Sequence, residues 1–109
     1  MKKLFLLLIC VFYIIVSYTQ VTVKQFNADW NKANSVEWLG KLTDCNVKSY
    51  DITKYPNLQK KHHVVVVPTI IVFLDGEEIK RYQANIMMQI EIKLEDIQNL
   101  VDETIMNSF

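Results

Sequence analysis

The chain is poor in the residues that most often mark a chemistry. Of 109 residues only two are cysteine, two glycine and two proline. Gly40 and Gly76 lie far apart, so no glycine-rich loop exists to cradle a phosphate. An excess of either charge is also missing: 12 Lys and Arg face 12 Asp and Glu, interspersed along the sequence. That pattern describes an ordinary solvated surface and argues against a nucleic-acid partner, which would require a basic face. The two histidines, His62 and His63, are adjacent. Adjacent side chains point apart on helix or strand, and no Cys, Asp or Glu cluster lies beside them in sequence, so no metal site is expected. Serines are scattered, with nothing to suggest a triad. No cofactor is implied.

The longest apolar run, residues 4–16, has 13 residues, short of the roughly 20 that span a bilayer as a helix. It follows Lys2 and Lys3 and precedes Ser17-Tyr18-Thr19, which places small residues at alternate positions. This three-part pattern predicts a secretory signal peptide over residues 1–19, cleaved before Gln20, and hence an exported protein, periplasmic or secreted. The alternative is an uncleaved membrane anchor over residues 4–18, which would be the chain's membrane contact. Ile9 before Cys10 argues against a lipoprotein, where a small residue belongs.

Removing residues 1–19 leaves 90, enough for one small domain of moderate stability over residues 20–109. Its formal charge is −2, because Lys2 and Lys3 depart and all 12 acidic residues stay. Cys45 is then alone. A single thiol cannot make an internal disulfide; in an oxidising compartment it is either buried and inert or available to another chain.

Strand and helix patterns alternate along residues 20–109. Residues 21–26 read as a strand with Val21 and Val23 on one side. Ala33, Val36, Leu39 and Leu42 recur at helical spacing and predict a helix over residues 32–42, capped by Asn31 and weakened by Gly40. Residues 47–52 form a second strand, and Pro56 opens a short helix reaching about His62. Residues 69–74 are rich in β-branched side chains and read as a central strand covered on both faces. Asp75-Gly76 signals a hairpin turn into an edge strand over residues 77–83, whose charges suit a solvent border. Leu94, Ile97, Leu100, Val101 and Ile105 lie on one stripe of a final helix over residues 94–106. Residues 86–94 alternate apolar with polar, and either extend the hairpin or cover a sheet face. Met87 and Met88 in that segment serve as core packing or as an adaptable contact surface.

Two stretches carry a resemblance. Phe26-Asn27-Ala28-Asp29-Trp30-Asn31-Lys32-Ala33-Asn34 is followed downstream by Val67-Pro68-Thr69 and by Asp75-Gly76. Their order and spacing resemble the thioredoxin family, in which a strand ending in Phe-x-Ala-x-Trp runs into a Cys-x-x-Cys helix start. An apolar-Pro-Thr strand and a Gly turn come later. The resemblance implies the α/β class and a thioredoxin-like fold, reduced to a minimal four-stranded mixed sheet flanked by helices. The family's usual first strand and helix have no room.

The same resemblance exposes a departure. Asn31-Lys32-Ala33-Asn34 stands at the Cys-x-x-Cys positions, and Gln25 stands where the family has a buried, proton-relaying Asp. Thiol–disulfide exchange proceeds through a thiolate, which a carboxamide cannot supply. No catalytic residue is therefore expected, and the domain reads as redox-inactive. What the resemblance leaves is a groove. Pro68, expected to follow a cis bond, would turn the Val67 backbone toward solvent, where an extended segment can add as a strand. Trp30, Asn31 and Asn34 would flank it. The expected partner is a protein or extended peptide, with an envelope assembly as one setting, and the role is that of a binding or structural module. The alternative is an oxidoreductase with residual thiol activity through Cys45, although that residue belongs at the far end of the first helix from Asn31.

Overall fold

In the computed structural model, which describes residues 19–108, the β-branched and apolar run Thr69–Leu74 forms an interior strand buried on both faces. Numbered along the chain, the strands are β1 (Val21–Asn27), β2 (Asn46–Asp51), β3 (Thr69–Leu74) and β4 (Glu77–Gln83). The helices are α1 (Pro56–Lys61) and α2 (Leu94–Asn107). Two 3-10 helices, Asp29–Asn34 and Glu37–Lys41, lie between β1 and β2. The sheet order is β2-β1-β3-β4. β1 runs parallel to β2 and antiparallel to β3, and β3 is antiparallel to β4. This is the four-stranded mixed sheet with flanking helices that the sequence pattern predicts. The predicted signal segment, apart from Thr19, lies outside the described residues.

Alternation along the strands divides the core in two. Val21 and Val23 of β1 join Ile70 and Val72 of β3 beneath Leu39, Ile97 and Val101, so α2 and the second 3-10 helix cover one face. Phe26, Ile71 and Phe73 face the other way, with Val64, Val67 and Leu58 above them. Each such large apolar side chain contributes roughly 1.5–3 kcal/mol when removed from water. Asp75 and Gly76 both have positive φ, 50° and 88°, as a two-residue hairpin turn of matching twist requires. The same Asp75 anchors the start of β1: its side chain accepts the Gln20 N–H and its own N–H reaches the Gln20 carbonyl, both at 2.9 Å. At the start of α2 the Asp96 carboxylate accepts the Lys93 N–H at 2.9 Å, which places negative charge on the helix's positive end.

The predicted continuous helix over residues 32–42 does not form. Ser35 and Val36 are extended and split it into the two 3-10 helices, and the N-cap of the first is Ala28, not Asn31. The cause lies in β1. The Gln25 side chain accepts the Val36 N–H at 2.7 Å, and the Asn27 amide bonds the Ser35 hydroxyl at 2.8 Å. Both bonds draw residues 35–36 out of any helical ladder. Residues 86–93 are not a strand either. Ile90, Ile92 and Leu94 pack on the first core cluster, so the period-two pattern marks a segment covering a sheet face rather than a longer hairpin.

α1 is capped by His62, and the next residue, His63, has left-handed backbone with φ 52°. Arg81 of β4 donates to the carbonyls of His62 at 2.6 Å and His63 at 3.1 Å, while pairing with Glu78 at 2.7 Å. The His62 ring lies 5.3 Å from both Phe26 and Phe73, and its Nε2 is buried without a partner among the described residues. Burial first, then the positive charges of Lys24, Lys61 and Arg81, hold its pKa below the ordinary histidine value. The folded state therefore binds fewer protons than the unfolded chain just below about pH 6.5, and stability falls as pH drops through that window. Denaturant midpoints measured between pH 8 and pH 5 should show this decline, and His62→Phe should flatten it. An unchanged slope in that variant would contradict the assignment.

Candidate functional site

At the C-terminal end of β1 three carboxamides replace what would otherwise be an apolar strand exit. Asn27 is buried, and its Oδ1 accepts the Ala28 N–H at 2.9 Å and the Asn31 side-chain amide at 3.2 Å. Its Nδ2 donates to the Asn31 carbonyl at 3.1 Å and to the Ser35 hydroxyl at 2.8 Å. Asn31 is only 6% exposed. Its Oδ1 accepts from Asn34 Nδ2 at 2.8 Å, and its Nδ2 reaches the carbonyls of Val67 at 3.4 Å and Met88 at 3.5 Å. Gln25, one strand position pair earlier on the same face as Asn27, bonds Val36 at both its N–H and C=O and lies 3.4 Å from the Ser49 hydroxyl. A carboxamide is donor and acceptor at once and carries no charge at any ordinary pH. These residues therefore satisfy one another in a buried site, where an unpaired group would cost about 1–3 kcal/mol. The arrangement orients loops and offers no nucleophile.

Beside this network lies a half-open groove of about 350 Å³. Trp30, Ile52, Val64, Val66, Ile86 and Met88 form its apolar walls, and no charged side chain lines it. Its rim is unusually apolar for solvent-facing surface: Trp30 is 66% exposed, Val65 79% and Ile86 99%. Contiguous apolar surface of this kind marks an interaction site more often than chance exposure does. The rim is also well built. Asn85 Oδ1 accepts the N–H groups of Met87 at 2.9 Å and Gln89 at 3.1 Å, and its backbone bonds Met88 and Gln89 at 2.9 Å. The turn thus presents Ile86, Met87 and Met88 together. Along the facing wall, the N–H groups of Val65, Val66 and Val67 have no hydrogen-bond partner among the described residues.

The five residues expected at the groove are placed differently from one another. Trp30 and Val67 line it. Asn34 is half-buried and bonded to Asn31. Asn31 and Pro68 lie beneath the surface, Pro68 fully buried after a cis peptide bond with Val67. The Val67 N–H has no partner among the described residues, but its carbonyl meets Asn31. The contributors not anticipated include Asn27, Ser35 and Asn85 and the apolar wall residues Ile52, Val64, Val65 and Val66. The run of asparagines at 27, 31 and 34 was the available signal for the network, since amides spaced within one turn can bond one another.

Cys45 is remote from all of this. It precedes β2, whose Asn46 pairs with Thr22 near the start of β1, whereas Asn27 pairs with Asp51 at the other end. The thiol is half-buried against the first core cluster. Burial, then the charges of Asp44 and Asp102, push its pKa up, so thiolate is scarce near neutral pH. Among the described residues no three His, Cys, Asp or Glu side chains come together as metal ligands would.

No protein-family model matches the sequence, and no curated protein does. Solved structures do match. A mutant thioredoxin from Halobacterium salinarum NRC-1 is 26% identical, covering 77% of this chain and 74% of that one with a TM-score of 0.59. Thioredoxin-2 of a malaria parasite, described as a component of that parasite's protein secretion machinery, is 22% identical over 78% of this chain and 84% of that one, TM-score 0.60. Thioredoxin 1 from Thermosipho africanus is 22% identical over 80% of this chain and 97% of that one, TM-score 0.58. With the sheet order and its flanking helices, these likenesses show that the chain has the thioredoxin-like fold.

Proposed function

We propose that this protein is an exported, redox-inactive thioredoxin-like module that holds an extended apolar segment of another protein. Export rests on the pattern of residues 1–19, and the partner belongs to the same compartment, periplasmic or secreted, an envelope assembly among the settings. The observation that carries the reading is the wall formed by residues 65–67. Three successive N–H groups without described partners border an uncharged apolar groove. An added strand would pair with alternate donors of this wall while its side chains cover Trp30, Val66 and Ile86. Asn31 and Asn34 supply no thiolate, so the complex is non-covalent, and Cys45 takes no part in it.

Association costs and the modest size of the groove set an expectation of micromolar affinity rather than tighter. Calorimetry with an apolar, strand-forming heptapeptide tests this. Trp30→Ala and Val66→Asp should each weaken binding about tenfold or more, close to 1.4 kcal/mol, and Cys45→Ser should leave it unchanged. Wild-type affinity in both groove variants would overturn the reading.

A further inference from the structure

We propose that Asn31 is a positioning residue that fastens the Ile86–Met88 tip to the proline-bearing loop and so sets the groove's second wall. The use of that wall rests on the function proposed above; the fastening itself does not. Three observations converge on it. First, the Asn31 amide spans three parts of the chain: it starts in the 3-10 helix Asp29–Asn34 and reaches the carbonyls of Val67 and Met88. Among the described residues, the bond to Met88 is the one hydrogen bond joining residues 85–89 to another element. Second, the amide's orientation is fixed from both ends. Asn34 donates to Asn31 Oδ1 at 2.8 Å, which leaves Nδ2 to face Asn27, Val67 and Met88. Third, Met88 has φ 59°, a left-handed backbone that an L-residue with a long side chain adopts only where its surroundings impose it. Asn85 fixes the shape of this turn, but with Ile86 almost fully exposed its packing does little to fix the turn's place against the rest of the chain.

Two amide hydrogens shared among three acceptors at 3.2–3.5 Å make a long, multi-armed contact rather than one strong bond. Its value lies in geometry. A cysteine at this position has a weak, single donor, and an aspartate would turn an acceptor toward two carbonyl oxygens. Only a carboxamide of this length bridges both loops.

Amide hydrogen exchange on the full chain tests the assignment, with peptide affinity as a second readout. Asn31→Asp, nearly isosteric, should speed exchange of the Met87, Met88 and Gln89 amides tenfold or more and leave amides of β1 and β3 unchanged. Asn31→Ser, neutral and too short to reach, should do the same if the charged variant fails to fold. Asn34→Ala should produce a smaller effect at the same three amides. Faster exchange at the tip with tenfold weaker peptide binding supports both the positioning role and the groove. Faster exchange with unchanged affinity supports the positioning role and removes the tip from the groove. Unchanged tip exchange in both Asn31 variants overturns the proposal, whatever the affinity.

Discussion

Phe26→Ala is expected to lower the free energy of unfolding by about 3–5 kcal/mol. Phe26 is fully buried and stacks on Tyr50 at 5.7 Å while meeting His62 at 5.3 Å. It is thus the ring that binds α1's end to the sheet. α1 has only six residues and no buried residue of its own, so this face of the core depends on a few large side chains. A helix that short has no independent stability in water. The loss would remove a large part of the 5–15 kcal/mol typical of a domain. At roughly 4–8 °C per kcal/mol for a domain of this size, the melting temperature should fall by more than about 12 °C. A drop below about 1 kcal/mol in urea titration would contradict the packing described for this cluster.

The second large effect is a gain rather than a loss. The double substitution Asn31→Cys with Asn34→Cys should close to a disulfide under mild oxidant. The tips of the two asparagines already meet at 2.8 Å, across a spacing of three residues that starts at the kink of the 3-10 segment. Both thiols should disappear from a thiol count after oxidation, and dithiol-driven exchange should rise above the wild-type level. It should nevertheless stay slow. Residue 31 lies at a kink inside a six-residue 3-10 segment and not at the start of a long helix, so few aligned amides and only a weak dipole face a thiolate there. Gln25, which cannot ionise, offers no proton acceptor. The variant costs Asn27 only the bond from the Asn31 side-chain amide; its bonds to Ala28, the Asn31 carbonyl and Ser35 remain. Two persistent free thiols after oxidation would show that the side chains at 31 and 34 do not approach as described.

These predictions draw on parts of the molecule that the sequence discloses to different degrees. β3 and β4 follow directly from a β-branched run, an Asp-Gly turn and a charged border, because each signal is local. α2 follows from its five-residue stripe, of which Ile97 and Val101 are fully buried. The broken helix after Trp30 was hidden. Its apolar spacing is helical, but Gln25 and Asn27 compete for residues 35 and 36, and that competition depends on β1 lying alongside. Residues 86–94 misled for a related reason: an extended segment lying on a core shows the same alternation as a paired strand. At the site, Trp30 and Val67 were legible from their neighbours in sequence. Asn31 was recognised as a replacement, yet its bonds to Val67 and Met88 connect residues 36 and 57 positions apart, which no local pattern encodes.

On the proposed function, a carboxamide-braced groove takes an extended apolar segment without any covalent step. A two-dimensional amide NMR titration of the wild-type protein with a cysteine-free apolar heptapeptide tests it most directly. The account predicts shifts confined to the Trp30 indole, to residues 65–67 and to residues 85–88, reproduced in the Cys45→Ser variant. An unshifted spectrum at millimolar peptide, or binding that appears only with a cysteine-bearing peptide and vanishes in Cys45→Ser, would contradict it.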